Sequence, residues 1–169
     1  MKHLLFTALF VAIGVFASQA QSVFTVNDLI NLKRVTDPQL SPDGRLVAFT
    51  IGVVDKAANK TVNQIYTIGI DGTRQKQITS NPSSSSSPRW SPDGKWIVYA
   101  SNEGFDSKKL RNFDIWIMTA SGSKRTQLTT NGSDDISPCW DYEGKMVYFL
   151  SNRGGVWNIW RFQPNLTSE

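Results

Sequence analysis

Histidine and cysteine are almost absent from this sequence, which holds one of each in 169 residues, His3 and Cys139. A single cysteine excludes an intramolecular disulfide bond in any compartment. Because no histidine follows residue 3, the rest of the chain has no general base for a Ser-His-Asp arrangement, and nothing to activate the Cys139 thiol. A G-x-S-x-G nucleophile elbow is also missing. We therefore predict a chain without catalytic residues of its own.

Long hydrophobic runs are scarce as well, and the run at the N-terminus is short. Lys2 precedes an apolar run over residues 4–17, and small residues follow at Ser18 and Ala20. This order is typical of a secretory signal peptide, here the first 20 residues, with a mature chain starting near Gln21. The run is short for a membrane span, and no cysteine near the cleavage site indicates a lipid anchor. We predict export to a bacterial periplasm or the extracellular space without a stable membrane anchor; a buried strand or an anchoring helix is the alternative.

Charge is modest and dispersed. The chain has 18 basic and 14 acidic residues, a net charge of +4, which falls to +3 when the predicted signal peptide is removed with Lys2. A nucleic-acid surface would gather basic residues on one face, whereas here they lie mostly in predicted turns and loops. No nucleic-acid partner is therefore predicted. The residues interpreted as solvated charge are Lys33, Arg34, Arg74, Lys76, Lys108, Lys109, Arg111, Lys124 and Arg125.

What the sequence does have is a repeat. The phrase Ser-Pro-Asp-Gly-Lys-Trp-Ile-Val-Tyr-Ala at 91–100 has a close copy at 41–50 and a weaker copy at 141–150. The copies are 50 residues apart, and a fixed period marks a repeat architecture. Each phrase opens with turn chemistry, in which Pro presets φ, Asp accepts a local hydrogen bond and Gly takes the positive-φ position. The residues predicted to have this structural role are Pro42, Asp43, Gly44, Pro92, Asp93, Gly94 and Gly144.

The run after each turn predicts a strand covered on both faces. Residues 46–49, 96–99 and 146–149 are apolar at every position, and so are 115–118. A buried helix is the alternative for any one run, but the runs are short, rich in Val, Ile and aromatics, and bounded by turns. Four short strands per unit, each sheet covered by its neighbours, predict an all-β fold: a β-propeller of four-stranded blades, with about three blades present as an incomplete, open arc.

The predicted boundaries follow from the repeat. A lead-in over 21–36 contains a short helix with a Thr25–Asp28 cap, and the blades cover about 37–81, 86–131 and 136–169. Within them, 55–63 is predicted to be a polar loop and 83–87 a linker between units. The predicted strands are 38–41, 45–54, 64–70 and 75–79 in unit one, 88–91, 95–102, 114–120 and 125–129 in unit two, and 138–141, 145–152 and 158–162 in unit three.

An arc of blades leaves one sheet face uncovered at each end, because a blade needs a neighbour on both sides. The partners expected there are further blades and a catalytic domain of a longer polypeptide, or other copies of the chain, with peptides as a further possibility. Alternate residues of a strand point to opposite faces, and the sequence leaves open which set points outward. The candidates are Val47, Phe49, Ile65 and Ile68 in unit one, and Val147, Phe149, Ile159 and Phe162 in unit three.

The sequence offers few other candidate site residues, and neither a metal nor a cofactor is predicted. Asp134 and Asp135 follow Asn131-Gly132-Ser133, but a solvated loop is the preferred interpretation because no metal-ligand spacing accompanies them. Cys139 is interpreted as a half-buried strand thiol. Gly154-Gly155 predicts a shortened blade turn, since no helix follows to complete a phosphate site.

These motifs resemble a known family. The phrase Trp-Ser-Pro-Asp-Gly-Lys at 90–95, with Asp-Ile-Trp-Ile-Met at 114–118 and Gln-Leu-Thr at 127–129, resembles the TolB-type (PD40) propeller repeat. The segments at 24–29 and 32–44 resemble the opening of secreted bacterial S9 serine peptidases, the relatives of prolyl oligopeptidase, dipeptidyl peptidase and acylaminoacyl peptidase. Together these resemblances cover nearly all of the predicted mature chain.

The resemblance implies a role as well as a fold. In the S9 family a propeller precedes an α/β-hydrolase domain, and the propeller screens and orients peptides. The present chain departs from that pattern in having no catalytic serine motif or histidine, and neither Glu103 nor Glu143 sits in a motif equivalent to the family's amine-binding glutamates. The first hypothesis is a non-catalytic propeller portion of an exported S9 peptidase, truncated before its hydrolase domain. The alternative is a free-standing, TolB-like periplasmic binding propeller.

Overall fold

The computed structural model describes residues 23–80, 82–104 and 112–166. The predicted signal peptide and the basic residues Lys108, Lys109 and Arg111 lie outside these ranges. Within the described residues there is one short helix and eleven strands, and none of the helical structure is long and apolar enough to cross a membrane. The helix is α1 (Val26–Asn31), and the strands are β1 (Arg34–Leu40), β2 (Leu46–Asp55), β3 (Lys60–Gly69), β4 (Lys76–Gln77), β5 (Ser85–Trp90), β6 (Trp96–Ser101), β7 (Asp114–Thr119), β8 (Thr126–Gln127), β9 (Asp135–Trp140), β10 (Val147–Ser151) and β11 (Asn158–Phe162).

The strands form three antiparallel sheets in sequence order, which we call blades 1, 2 and 3. Blade 1 has the order β1-β2-β3-β4, blade 2 the order β5-β6-β7-β8, and blade 3 the order β9-β10-β11 among the described residues. The first strands contact one another, β1 with β5 and β5 with β9, so they line the inner side of an arc. The predicted incomplete propeller of about three blades is confirmed.

The lead-in forms the helix for the reason the sequence indicates. Thr25 is the N-cap, with its hydroxyl accepting from the amide of Asp28 at 3.2 Å and the Asp28 carboxylate accepting from the amide of Thr25 at 2.8 Å. The strand after the helix begins at Arg34, before the position at which the first blade was predicted to start.

A bulge explains why the inner strands were predicted too short. Asp37, Ser87 and Ser137 have φ of 53°, 57° and 53°, and the strand register shifts at each of them. A proline follows every bulge, and the sequence interpretation took that proline as the start of the strand. The backbone instead pairs on both sides of the bulge, so β1, β5 and β9 each begin three or four residues earlier.

Two segments predicted to be irregular are partly strand. In blade 1 the pairing of β2 with β3 continues to Asp55 opposite Lys60, so only residues 56–59 form the turn of a long hairpin and the predicted polar loop at 55–63 is wrong. In the serine run, Ser85 and Ser86 pair with Ser101 and Ala100 as the start of β5, so the predicted linker at 83–87 is also shorter than expected. Both segments were predicted to be irregular because their side chains are polar. Pairing between strands satisfies backbone hydrogen bonds whatever the side chain, so polar residues can form strands as well.

The hydrophobic core lies between blades, in two clusters. The first joins blade 1 to blade 2 and the second joins blade 2 to blade 3. Because blade 2 is covered on both sides, its central strand β6 is buried along nearly its whole length. The first cluster comprises Ile65, Ile78, Ile97, Tyr99 and Met118, and the second comprises Val98, Ile115, Ile117, Val147 and Phe149.

Candidate binding faces and blade contacts

The predicted turn residues lie in three tight turns that stack on one another. Gly44, Gly94 and Gly144 have φ of 69°, 70° and 70°, and the amide of each donates to the carbonyl three residues before it. A Cβ added to Gly94 would lie 3.6 Å from Pro42, and one added to Gly144 would lie 3.2 Å from Pro92. Each proline therefore packs against the turn glycine of the following blade.

The aspartates of these turns are structural acceptors. Asp43 accepts from the Ser41 hydroxyl at 2.6 Å and from the Arg45 amide at 3.1 Å. The hydrogen bond from Ser41, and then that from Arg45, lowers the pKa of the Asp43 carboxyl. Asp93 makes the same two contacts with Ser91 and Lys95, at 2.6 and 3.1 Å.

Tryptophan at the end of the inner strand joins each blade to the preceding one. Trp90 Nε1 donates to the carbonyl of Gln39 at 3.1 Å, and Trp140 Nε1 donates to the carbonyl of Arg89 at 3.2 Å. The partners are 51 residues apart in both cases. Blade 1 has Leu40 at this position, and the side chain is exposed. Leucine has no donor, so blade 1 cannot make the same bond to a neighbour on that side.

Two arginines, Arg89 and Arg125, bridge blades 1 and 2. Arg89 Nη1 donates to Asp37 at 2.7 Å, next to the bulge of β1. Arg125 Nη2 donates to the carbonyl of Ile78 at 2.6 Å and pairs with Glu103 at 3.3 Å. The interpretation of Arg125 as solvated charge is therefore wrong. Its side chain is only 27% exposed, because the neighbouring blade covers it.

Each blade has two faces, which we name by their position in the arc. The forward face points to the following blade and the rear face to the preceding one. In blade 2, Val98, Ile115 and Ile117 lie on the forward face, in the cluster with blade 3. Ile97 and Met118 lie on the rear face, in the cluster with blade 1.

The rear face of blade 1 is open. Val47, Phe49 and Ile68 lie on it and line a shallow apolar depression of about 350 Å³. Val47 and Ile68 are partly exposed, whereas Phe49 is buried, so the expectation that Phe49 is bare is wrong. The ring of Phe49 stacks with that of Tyr66, at 5.9 Å between centroids. Ile65 was also predicted as a candidate for this open face, and that prediction is wrong. Its side chain points forward into the cluster with blade 2 and is fully buried.

The forward face of blade 3 is open too. Ile159 lies there and is 75% exposed, whereas Ile115 at the same register position of blade 2 is 1% exposed. Val147, Phe149 and Phe162 were candidates for this open face, and that assignment is wrong because all three pack rearward in the cluster with blade 2. Both residues are isoleucine, so the difference in exposure arises because no described residue covers Ile159 as blade 3 covers Ile115.

The outer strand of each complete blade is held by a threonine clasp, which we define as the contacts of Thr79 in blade 1 and Thr129 in blade 2. The Thr79 hydroxyl accepts from the Ile65 amide at 2.8 Å and donates to Gln64 Oε1 at 2.8 Å. The Thr129 hydroxyl accepts from the Ile115 amide at 2.9 Å and contacts Asp114 Oδ1 at 3.2 Å. Both threonines are buried.

An acidic pair lies where blades 2 and 3 meet. Asp114 is buried and accepts hydrogen bonds from Asn112, Gln127 and Thr129 at 3.0–3.3 Å. Burial of the carboxyl, which outweighs these bonds and is reinforced by the charge of Asp135, raises the pKa of Asp114 to about 6.

Asp135 is not part of a solvated loop, as was expected, but a fully buried residue at the start of β9. Its Oδ2 accepts from Asn131 at 2.6 Å and from Arg153 at 2.7 Å. The Arg153 guanidinium lies 4.5 Å from the centroid of the Trp160 ring. The ion pair with Arg153 joins the start of β9 to the turn after β10 and balances the charge of Asp135, whose other oxygen, Oδ1, is buried without a hydrogen-bond partner.

A groove of about 560 Å³ lies at one end of the contact between blades 1 and 2. Its polar walls are largely engaged within the protein. Ser84 accepts from the amide of Asn63 at 3.1 Å, Asn102 accepts from the amide of Ser84 at 2.7 Å, and Glu103 pairs with Arg125. The bond between Asn63 and Ser84 connects the two blades, and the other two contacts lie within blade 2.

The described residues contain no group of three or more His, Cys, Asp or Glu side chains able to hold a metal ion. Cys139 is exposed, and its interpretation as a half-buried thiol is wrong, because its side chain lies on the open side of β9. Glu143, on a turn, pairs with Lys145. Gly155 closes the predicted short turn, with its amide donating to the Asn152 carbonyl at 2.9 Å.

No protein-family model matches the chain. Dipeptidyl-peptidase 5 of Porphyromonas gingivalis is 36% identical over 55 residues, a match that covers 32% of this chain and 8% of that protein. A TolB structure from Agrobacterium tumefaciens is 32% identical with a TM-score of 0.59, and the match covers 76% of this chain and 43% of that one. These findings confirm the resemblance to TolB and S9 propellers.

Two peptidase structures share the fold at lower identity. The acylaminoacyl peptidase of Pyrococcus horikoshii is 20% identical with a TM-score of 0.57, covering 73% of this chain and 18% of the other. The β-propeller domain of the trilobed protease from Pyrococcus furiosus is also 20% identical, with a TM-score of 0.56, covering 78% and 39%. The chain therefore spans less than half the length of each of these relatives.

Proposed function

We propose that this chain is a non-catalytic propeller portion of an exported S9-type serine peptidase, where it acts as a scaffold that gates substrate access. The observation that carries the proposal is the pair of open blade faces. Ile159 is 75% exposed where Ile115 is buried, which is the pattern expected when further blades of the same kind normally cover blade 3. The identity to dipeptidyl-peptidase 5 favours a peptidase as the larger protein.

The amino-acid composition argues against catalysis by the chain itself. No histidine follows residue 3, and the buried threonines Thr79 and Thr129 hold the outer strands of blades 1 and 2. In this proposal the propeller acts as a steric filter, and its blades limit which substrates reach a catalytic domain placed at one end of the ring. Export is part of the proposal and rests on the signal-peptide pattern at residues 1–20.

A free-standing TolB-like propeller is the second candidate, favoured by the 32% identity to the Agrobacterium protein over 76% of this chain. Both candidates need more blades, but only the first needs a serine hydrolase on the same polypeptide. The two therefore differ in what the native protein carries.

The experiment captures the native protein from its source with an antibody raised against residues 23–166 and treats it with a fluorophosphonate serine probe. We expect one polypeptide, longer than 169 residues, that binds the antibody and is labelled by the probe. Heat-denatured protein is the control for nonspecific labelling. An antibody-reactive polypeptide that the probe leaves unlabelled would exclude the peptidase proposal and favour the TolB-like candidate.

A further inference from the structure

The groove between blades 1 and 2 is bordered by a stretch of strand edge that no other strand covers. In blade 1, β2 and β3 stay paired from Gly52 opposite Asn63 to Asp55 opposite Lys60, whereas the corresponding hairpins of blades 2 and 3 stop before this stretch. The outer strand β4 pairs with β3 only at residues 66–67. The outer edge of β3 at residues 60–63 therefore extends beyond β4, and it lines the groove.

The direction of the backbone groups on this edge follows from strand alternation. The Ile65 amide donates to the Thr79 hydroxyl and the Ile65 carbonyl accepts from the outer strand, so both groups point away from β2. In an antiparallel pair every second residue directs its groups to the same side, so those of Asn63 and Thr61 point outward too. Of these outward groups on Asn63 and Thr61, only the Asn63 amide has a hydrogen-bond partner among the described residues.

The matching position between blades 2 and 3 is closed. Phe113 occupies the position of Asn63, and its amide donates to Asp134 Oδ1 at 2.9 Å while its carbonyl accepts from the Asp135 amide at 2.7 Å. Asn63 uses its amide in the same way, with the Ser84 hydroxyl at 3.1 Å, but no described group donates to its carbonyl. The open groups therefore belong to a contact whose two blades are both present, and not to an end of the arc.

The side chains beside this edge leave space for a second backbone. The Asn63 side chain lies over Gly52, since a Cβ added to Gly52 would be 2.7 Å from Asn63 Oδ1, so it leans toward β2 and away from the open edge. The groove has a volume of about 560 Å³, within the range of about 300–1,000 Å³ that is usual for ligand pockets. Lys60 lines it, and no acid among the described residues forms an ion pair with this lysine.

We propose that the outer edge of β3 at residues 60–63 is a binding site for an extended peptide that carries an acidic residue. The peptide adds antiparallel to β3. One of its residues exchanges two hydrogen bonds with Thr61, and the residue two positions before it donates to the Asn63 carbonyl. The residue after the Thr61 partner lies opposite Lys60, where an Asp or Glu side chain meets the ammonium group.

In this mode main-chain pairing supplies affinity, and the cross-strand charge pair supplies selectivity. A backbone in extended conformation is the ligand that matches a donor and two acceptors spaced along one strand edge. The site stands whether or not the larger protein is a peptidase.

A short synthetic peptide tests the main-chain pairing. Acetyl-Thr-Val-Thr-Asp-amide, whose third residue is set against Thr61, is passed over the immobilised mature chain and followed by surface plasmon resonance, and we expect saturable binding. N-methylation of the third residue removes the donor to the Thr61 carbonyl. N-methylation of the second residue alters an amide that points away from β3 and is the matched control. We expect the first methylated peptide to bind about fivefold more weakly than the second, the effect of one hydrogen bond.

The acidic residue is tested by a peptide with Asn in place of its Asp. We expect this peptide to bind the wild-type chain about twofold to fivefold more weakly, the effect of one cross-strand charge pair. The difference should disappear in Lys60→Ala and persist in Lys60→Arg, which keeps the charge.

Two further variants of the chain locate the site. Thr61→Pro removes the outward amide, and because that amide does not face β2 the hairpin keeps its hydrogen bonds. Thr61→Val keeps the amide on a β-branched residue and is the matched control. We expect the proline variant to bind about fivefold more weakly and the valine variant to bind as the wild type does, with circular dichroism showing that both are folded.

Four results would overturn the site: no saturable binding up to millimolar peptide, equal binding of the two methylated peptides, equal binding of the Asp and Asn peptides, or equal binding by the wild-type chain and a folded Thr61→Pro variant. If the proline variant does not fold, hydrogen exchange at the Thr61 amide of the wild-type chain decides. Slower exchange with the peptide present supports pairing at this edge, and an unchanged rate excludes it.

Discussion

Gly94 provides the most direct test of the turn chemistry. Its φ of 70° is left-handed, and a Cβ there would lie 3.6 Å from Pro42, an ordinary contact. The cost of a side chain is therefore mostly backbone strain and not a clash. Asp93 in the same turn contributes two hydrogen bonds through a single oxygen, Oδ1.

Gly94→Ala is expected to lower the free energy of unfolding by about 1 kcal/mol or more, because alanine disfavours the left-handed conformation. Asp93→Asn should cost less, since an asparagine keeps an oxygen in place of Oδ1. Urea denaturation of both variants beside the wild type measures the order. A larger loss for Asp93→Asn would show that the hydrogen bonds, and not the conformation, hold this turn.

Asp114 gives the described blades a pH dependence of defined sign. Its pKa is raised to about 6 in the fold, above the ordinary value of 3.8, so between these pH values the folded state binds a proton that the unfolded state does not. The contribution of Asp114 to the free energy of unfolding is therefore lower above pH 6 and rises as the pH falls toward 4. No histidine lies within residues 23–166 to titrate in the same window.

We expect thermal stability to rise between pH 7 and pH 5, with a contribution from Asp114 of about 1 kcal/mol over that range. Asp114→Asn should remove most of this rise, because its amide carries no proton equilibrium in that range. Melting curves at matched ionic strength, followed by circular dichroism, provide the comparison. A rise of the same size in the Asn variant would assign the effect to another group.

At the scale of elements, the outer strands β4 and β8 pair over only two residues each. Such short strands need side-chain support, which the threonine clasp supplies. In blade 2 the clasp satisfies the buried Ile115 amide and touches the Asp114 carboxyl. The clasp therefore fixes β8 more firmly than its backbone pairing alone.

Thr129→Val should destabilise the chain by about 1–3 kcal/mol, because the isosteric valine leaves the Ile115 amide without a partner. Thr130→Val is the matched control, since Thr130 is exposed. Denaturant unfolding gives the free energies, and hydrogen exchange at Ile115 reports the lost bond directly. If the two valines had equal effects, the hydroxyl of Thr129 would have no special role in holding β8.

At the scale of the whole molecule, two apolar faces decide behaviour in solution. Val47 and Ile68 lie on the rear face of blade 1, and Leu150 and Ile159 lie on the forward face of blade 3. Burying one large apolar side chain contributes roughly 1.5–3 kcal/mol, so leaving several in water favours association.

The mature chain alone is therefore expected to self-associate or to bind a hydrophobic dye strongly. The double substitution Leu150→Lys and Ile159→Lys should reduce both signals, because it makes one open face charged without touching the contacts between blades. Sedimentation velocity over a wide concentration range, with dye fluorescence in parallel, is the measurement. A compact monomer that binds no dye would mean that the three blades close on themselves.

The sequence by itself determined the repeat and the local structure. Its 50-residue period placed the turns at Gly44, Gly94 and Gly144, and the continuous apolar runs located the central strands β2, β6 and β10. These features depend on residues close together in the chain: a turn needs a glycine at one position, and a strand covered on both sides needs apolar residues at every position. The all-β propeller follows from them.

Only the tertiary structure decided what each face meets. Alternation along the strand places Ile65 and Ile159 on the same face of their respective blades. Blade 2 covers Ile65, whereas Ile159 is exposed, and the residues near them in sequence do not indicate this difference. Asp135 was placed in a solvated loop because its partner Arg153 is 18 residues away, and Arg125 was interpreted as solvated because it meets a carbonyl 47 residues away, in another blade. Burial of charge depends on partners that the fold brings together, so composition around the charge does not predict it.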